Sequence, residues 1–272
     1  MKPMSTTFIG VDLAWKSERN PTGIAVLDGD RSGAELTAVN TISSEANVAE
    51  TIIALATSQT VVAIDAPLII TNVTGQRLCE SAVGRRYGSR EASCHTSNLR
   101  LYPDPSSVAL TAQLEAKGFA HVTPQDQRLA KRVLMEVYPH AAMVALWDLP
   151  KTIKYKRGNL GAKREGLEIL RNALHRLQSA EPSIQRNEAL HVLLTQELSQ
   201  LNGPRLKNYE DQLDALFCAY LAYYFWYWRW DRNEMFGDVE TGYIVNPTLQ
   251  SKDGSVSSEV PKLNQRLDPA GT

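Results

Sequence analysis

An apolar run with one carboxylate in its middle most constrains what this chain can become. Phe8-Ile9-Gly10-Val11-Asp12-Leu13-Ala14-Trp15 reads as a strand bound for the core, and it carries Asp12 with it. Burying an unpaired charge costs several kcal/mol, so an acid there needs a cation, a metal or a proton opposite it. Two later stretches repeat the theme. Val61-Val62-Ala63-Ile64-Asp65-Ala66-Pro67 ends an apolar run in an acid, and Asp211-Gln212-Leu213-Asp214-Ala215-Leu216 sets two acids into the opening of an apolar helix. The expectation is that these acids meet.

The order of elements gives a fold. Residues 8–14, 23–28 and 34–42 read as three strands joined by short Gly, Asn and Asp turns, an antiparallel meander. Ser43 or Ser44 can cap a helix with apolar positions at helical spacing, which returns the chain to a strand at 61–65. That strand is almost continuously apolar, as a parallel strand covered on both faces should be. Periodicity lapses over 68–105, an Arg-rich insertion, and resumes with a helix from Ser106 or Ser107 to Lys117. A strand at 132–138 follows, halted by Pro139 and carrying Glu136, then a short helix at 140–146 and three helices at about 165–179, 184–201 and 209–229. The expected fold is α/β: an RNase H-like mixed sheet with helices on both faces and extra C-terminal helices. The domain would span 1–249, with 250–272 a polar, mobile tail.

Composition sets outer limits. With 272 residues, 43% hydrophobic and 22% charged, the chain has the make-up of an ordinary globular protein. No signal-like apolar segment opens it, and no apolar run reaches the ~18 residues a span needs, so a cytoplasmic location and no membrane are expected. Three cysteines without paired spacing suggest reduced thiols. A net charge of -1 offers no global attraction to nucleic acid, so any attraction must be local.

The acids suggest what such a patch would serve. Asp211 and Asp214 stand three apart on one helical face, and Ala215 is small enough to let that helix approach the first strand. Acids converging from separate elements, with no cation adjacent in sequence, make a hard-oxygen site suited to Mg²⁺ or Mn²⁺, with Asp12, Asp65 and Asp214 central and Asp211 at the rim. Such ions can activate water and stabilise a leaving oxygen in phosphodiester hydrolysis. Each acid also has a plainer reading: Asp12 as a turn cap, Asp65 as a turn start, Asp211 and Asp214 as N-terminal helix acids, Glu136 as a solvent-facing residue on an edge strand. The basic stretch 151–164 contains no acid, and Arg77, Lys154 and Arg164 are expected to line the approach of a polyanion. Cys94-His95 and Cys79 offer a weaker metal reading.

Gly10-Val11-Asp12-Leu13-Ala14-Trp15, Ala63-Ile64-Asp65-Ala66-Pro67, Glu136-Val137-Tyr138-Pro139 and Asp211-Gln212-Leu213-Asp214-Ala215-Leu216 together resemble a little-characterised family of predicted nucleases with the RNase H-like fold. The last motif also resembles the acidic helix of Holliday-junction resolvases. The resemblance implies a divalent-metal nuclease site made by Asp12, Asp65, Asp211 and Asp214, with Glu136 nearby and DNA or RNA as partner; Asp65 departs from the resolvases, which carry Glu there. A non-enzymatic nucleic-acid or protein adaptor on the same fold is the alternative. An ATP-dependent phosphotransferase is less favoured, because no phosphate-cradling glycine loop occurs. The aromatic run 220–230 surrounds its helix, which suggests burial against the added helices and a second subunit, hence a homodimer.

Overall fold

The computed structural model describes residues 5–15, 20–43, 47–126 and 129–249. Strands β1 (Thr6–Asp12), β2 (Thr22–Asp30) and β3 (Gly33–Ile42) form the antiparallel meander, with Asp12 opposite Gly23. Helix α1 (Val48–Leu55) leads to β4 (Thr60–Ile64), which pairs parallel to β1 and is buried along its whole length. After α2 (Leu78–Tyr87) within the Arg-rich insertion and α3 (Ser106–Glu115), β5 (Ala120–His121) and β6 (Arg132–Glu136) complete a six-stranded sheet of order β3-β2-β1-β4-β6-β5. This mixed sheet is compatible with the RNase H-like fold expected from the sequence.

Strand alternation divides the core. Phe8, Val61 and Ala63 face one side, which belongs to the larger core cluster; Ile9, Val11, Val62 and Ile64 face the other, against Ile52 of α1 and Leu110 of α3. The chain continues through α4 (Pro139–Leu146), α5 (Leu160–Arg176), α6 (Glu188–Leu194) and α7 (Gly203–Trp228). The last of these lies across β1, β2 and β4 on the Phe8 side.

Several expected boundaries shift. The cap of α1 is Asn47, whose side chain accepts a hydrogen bond from Glu50 N, in place of Ser43; Ser44 lies outside the described residues. The helix expected over 184–201 shortens to α6. Helix α7 begins at Gly203, six residues before the expected start at 209, because Pro204 fits the first turn of a helix as well as it ends one. Asp211 and Asp214 are therefore well inside α7, and the positive end of the helix dipole does not account for them. A hairpin of β7 (Asn233–Asp238) and β8 (Gly242–Pro247) was not expected; it docks beside β6, with Val137 bridged to Val245. The tail 250–272 lies outside the described residues.

The aromatic end of α7 is largely taken up within the chain. Tyr220, Tyr223, Tyr224 and Phe225 are buried; the Tyr223 ring meets Phe8 at 4.8 Å and its hydroxyl donates to Asp30 O, while the Tyr220 hydroxyl donates to Pro182 O. These rings need no second subunit to cover them. Trp226, Tyr227 and Trp228 stay partly exposed, with Arg31 over the first two and the Arg232 guanidinium 3.5 Å from the Trp228 ring. Among the described residues no helix is long and apolar enough to cross a membrane.

Candidate functional site

The site begins with two residues that have no side chain. At Gly10 an added Cβ would fall on Ala215 O and Ala219 N, and at Gly23 on Asp211 O. Helix α7 thus rests directly on the backbone of β1 and β2, and Ala215 lies against β1 as its size suggested. Alternation then places Asp12 on the same face as Phe8 and Gly10, toward α7. Asp65, one residue past β4, keeps the parallel pairing by donating its N–H to Val11 O at 2.8 Å. The turn after β1 is tied by Thr22, whose hydroxyl accepts from Ala14 N.

Asp12, Asp65 and Asp211 line a cavity of about 250 Å³ at the ends of β1 and β4, together with Lys156, Lys207 and His140. Asp214 does not border it. It is wholly buried, receiving the Tyr155 hydroxyl at 2.7 Å on Oδ1 and the Lys156 ammonium at 2.9 Å on Oδ2. The expected order of the two helix acids is therefore reversed: Asp211 faces the cavity and Asp214 stands behind it.

Asp211 is 1% exposed, its Oδ1 accepts from Lys207 Nζ, and its Oδ2 has no N–H donor. Burial first, then the neighbouring Asp12 carboxyl, raise Asp211 to about 8 against the pull of Lys207. Asp65 is also raised to about 8, by burial and by the charges of Asp12 and Asp214, with Lys156 opposing. His140 donates or accepts at Nδ1 with the Thr152 hydroxyl at 3.0 Å; burial and Lys156 lower it to about 3, so it enters the cavity neutral.

Glu136 lies on the Leu134 face of its strand by alternation, away from the side on which Asp12 projects. Both of its oxygens are held by the Arg77 guanidinium, at 2.5 and 2.9 Å, and Oε2 also accepts from Leu68 N. Arg77 further donates to Ile69 O and to Glu80, which in turn receives Ser97 N and the Ser97 hydroxyl. This buried network ties the loop after Asp65 to β6 and to the insertion, so Glu136 and Arg77 brace the site. Arg77 and Glu136 both border the cavity, but each guanidinium nitrogen of Arg77 and both oxygens of Glu136 are already bonded within this network.

The other expected phosphate contacts are likewise engaged. Arg164 donates to Ser199 O and Leu201 O, joining α5 to the segment before α7. Lys154 pairs with Glu91 at 2.6 Å, and Lys151 shares that carboxylate, which the two lysines hold at about 2. The cations that do reach the acids are Lys156, which the sequence placed only within the basic stretch 151–164, and Lys207, which was not singled out. Lys207 carried a signal, since it precedes Asp211 by four residues on one helix face. Lys156 carried none: it is turned inward because Gly166 lets α5 pack onto the backbone of Lys154 and Tyr155. Among the described residues no group of three or more His, Cys, Asp or Glu side chains is set around one ion position as it stands.

One consequence is measurable. Tyr155→Phe keeps the ring and removes the donor from a fully buried carboxylate oxygen, so it should cost about 1–3 kcal/mol in urea denaturation. An unchanged midpoint would mean that Lys156 alone satisfies Asp214.

No curated protein and no solved structure matches the chain. A family model described as a protein of unknown function (DUF429) matches residues 10–240, from the first strand to the closing hairpin, and the chain belongs to that family.

Proposed function

We propose that the protein is a divalent-metal-dependent hydrolase of phosphodiester bonds in nucleic acid, with Asp12, Asp65 and Asp211 as the metal-holding carboxylates. The observation that carries this reading is the convergence of Asp12, Asp65 and Asp211 on one cavity, where the buried Asp211 carboxylate keeps an Oδ2 with no hydrogen-bond partner. A hard cation would answer that oxygen, and the donor set is all oxygen, which suits Mg²⁺ or Mn²⁺. Once bound, the ion would supply Lewis-acid charge for activating water and offsetting the leaving oxygen.

The chain's own groups divide the remaining work. Lys156 sets an ammonium beside the acids, where it can offset phosphate charge. Neutral His140, fixed by Thr152, is available to accept or pass a proton in the cavity. Lys207 holds Asp211 through an ion pair that a cation would loosen. The braced loop at 66–69 keeps Asp65 in place through the Leu68 N–H to Glu136.

A second reading has an observation of its own. Lys156 and Lys207 already answer two of the acids, as an adaptor without turnover would need. A cleavage panel on branched, duplex and single-stranded DNA and RNA, with Mg²⁺ or Mn²⁺, separates the two. Asp12→Asn keeps the shape and removes a ligand charge, so cleavage should fall about 10²–10³-fold or more while the fold survives. Absence of metal-dependent cleavage by the wild type would favour the adaptor, and Mn²⁺ stabilisation undiminished in Asp12→Asn would remove the metal site.

A further inference from the structure

A second cavity, of about 280 Å³, adjoins the acid cleft and shares Leu13, Ala14 and Asn20 with it as a common wall. Its chemistry is different. Among the described residues no Asp, Glu, Lys, Arg or His lines it; the walls are apolar at Val48 and Leu110, and amides stand at Asn20, Asn47 and Gln113. The Asn47 carbonyl oxygen is engaged as the cap of α1, but among the described residues the exposed amides of Asn20 and Gln113 make no hydrogen bond.

We propose that this cavity receives a nucleobase flanking the phosphodiester handled at Asp12, Asp65 and Asp211. The inference rests on the hydrolase reading for the phosphate, and on the cavity itself for the base. An uncharged lining gives a phosphate nothing to replace its hydration, whereas a flat heterocycle can place its faces on Leu110 and Val48. The amides answer its edge, because Asn and Gln present a donor and an acceptor side by side, the pattern that matches a base edge in two bonds. Sites that take a base out of a stack combine these two features, apolar faces and hydrogen bonds to the edge. The position agrees as well. One sugar separates a phosphate from its base, so a base site must share a wall with a phosphate site, and these two cavities share Leu13 and Ala14, which directly follow Asp12, and Asn20.

The test uses nucleosides, which carry no phosphate and need no metal. Adenosine, guanosine, cytidine and uridine are titrated into the full chain in EDTA, followed by ligand-observed NMR. Two variants on exposed positions of α3 accompany it: Ala109→Trp, which fills the cavity mouth, and Gln113→Ala, which removes an edge contact. Circular dichroism melts check that both fold. At least one nucleoside should bind the wild type, Ala109→Trp should weaken it about tenfold or more, and Gln113→Ala should change the order of preference among the four. No binding by any nucleoside, or binding that neither substitution alters, overturns the base site.

The cleavage panel keeps the two readings apart. Metal-dependent cleavage whose rate and base preference ignore Ala109→Trp would leave the hydrolase standing and remove the base site. Variant-sensitive nucleoside binding in a protein that cleaves nothing would keep the base site and remove the hydrolase.

Discussion

Gly10→Val is expected to destabilise the protein by about 3 kcal/mol or more, and Gly10→Ala by a smaller amount of the same sign. The reason is what a new Cβ would meet: Ala215 O and Ala219 N, backbone atoms of α7 that cannot turn aside as the end of a side chain could. Relief requires the helix to lift from β1. Because Asp211 rides on that helix beside Gly23, lifting it also separates the Asp12–Asp211 pair, so any stabilisation by Mn²⁺ should shrink together with the fold. Gly161→Ala is the control. It sits in the first turn of α5, where an added Cβ comes only to 3.4 Å from Asn159 Oδ1, and alanine is the better helix former by about 1 kcal/mol. Urea denaturation should order the variants as Gly161→Ala, wild type, Gly10→Ala, Gly10→Val. If Gly10→Ala unfolds with the wild type, the close seat of α7 on β1 is wrong.

That contact also shows what could be read from the residues and what could not. The meander, the parallel β4 and the approach of an Ala-bearing helix followed from patterns within single segments: alternation, continuous apolarity, three-residue spacing. Asp12 and Asp65 were legible for the same reason, since an acid that ends or interrupts an apolar strand must be answered by something. The roles of Asp211 and Asp214 were not, because which of two acids on one face meets the cavity depends on helix rotation. Here Tyr155 and Lys156 claim Asp214. Arg77 and Glu136 lie 59 positions apart, and no local pattern announces that they pair. The hairpin of β7 and β8 escaped because Asn233, Gly237 and Asn246 dilute its alternation. Asn246 is nonetheless fully buried, held through the Tyr87 hydroxyl.

Without metal, stability should fall as pH rises from about 6.5 to 8, the reverse of what ordinary surface carboxylates produce. Asp65 and Asp211 have ordinary values near 3.8 when unfolded and about 8 when folded, so in this window the native state binds more protons than the unfolded one. Stability then decreases with pH through the window and levels off above it. Other groups do not mask the effect. Burial and Lys156 lower His140 to about 3, so it favours folding increasingly as pH rises toward 6.5 and adds nothing further beyond. Glu91, held at about 2 by its two lysines, contributes only below about pH 4.5. One linked proton changes stability by about 1.4 kcal/mol per pH unit, so about 2 kcal/mol should be lost across the window for each proton the acid cluster retains. Denaturation in EDTA at pH 6.5, 7.2 and 8 reads this directly. Asp65→Asn and Asp211→Asn should each flatten the slope, since an amide neither holds nor loses the proton. Added Mn²⁺ should stabilise more at pH 8 than at 6.5, because the ion and the protons of Asp65 and Asp211 compete for the same oxygens. A wild type whose stability holds constant or rises across the window in EDTA would show that Asp65 and Asp211 are already ionised at pH 6.5. The acids would then be answered by Lys156 and Lys207 alone, as in the adaptor.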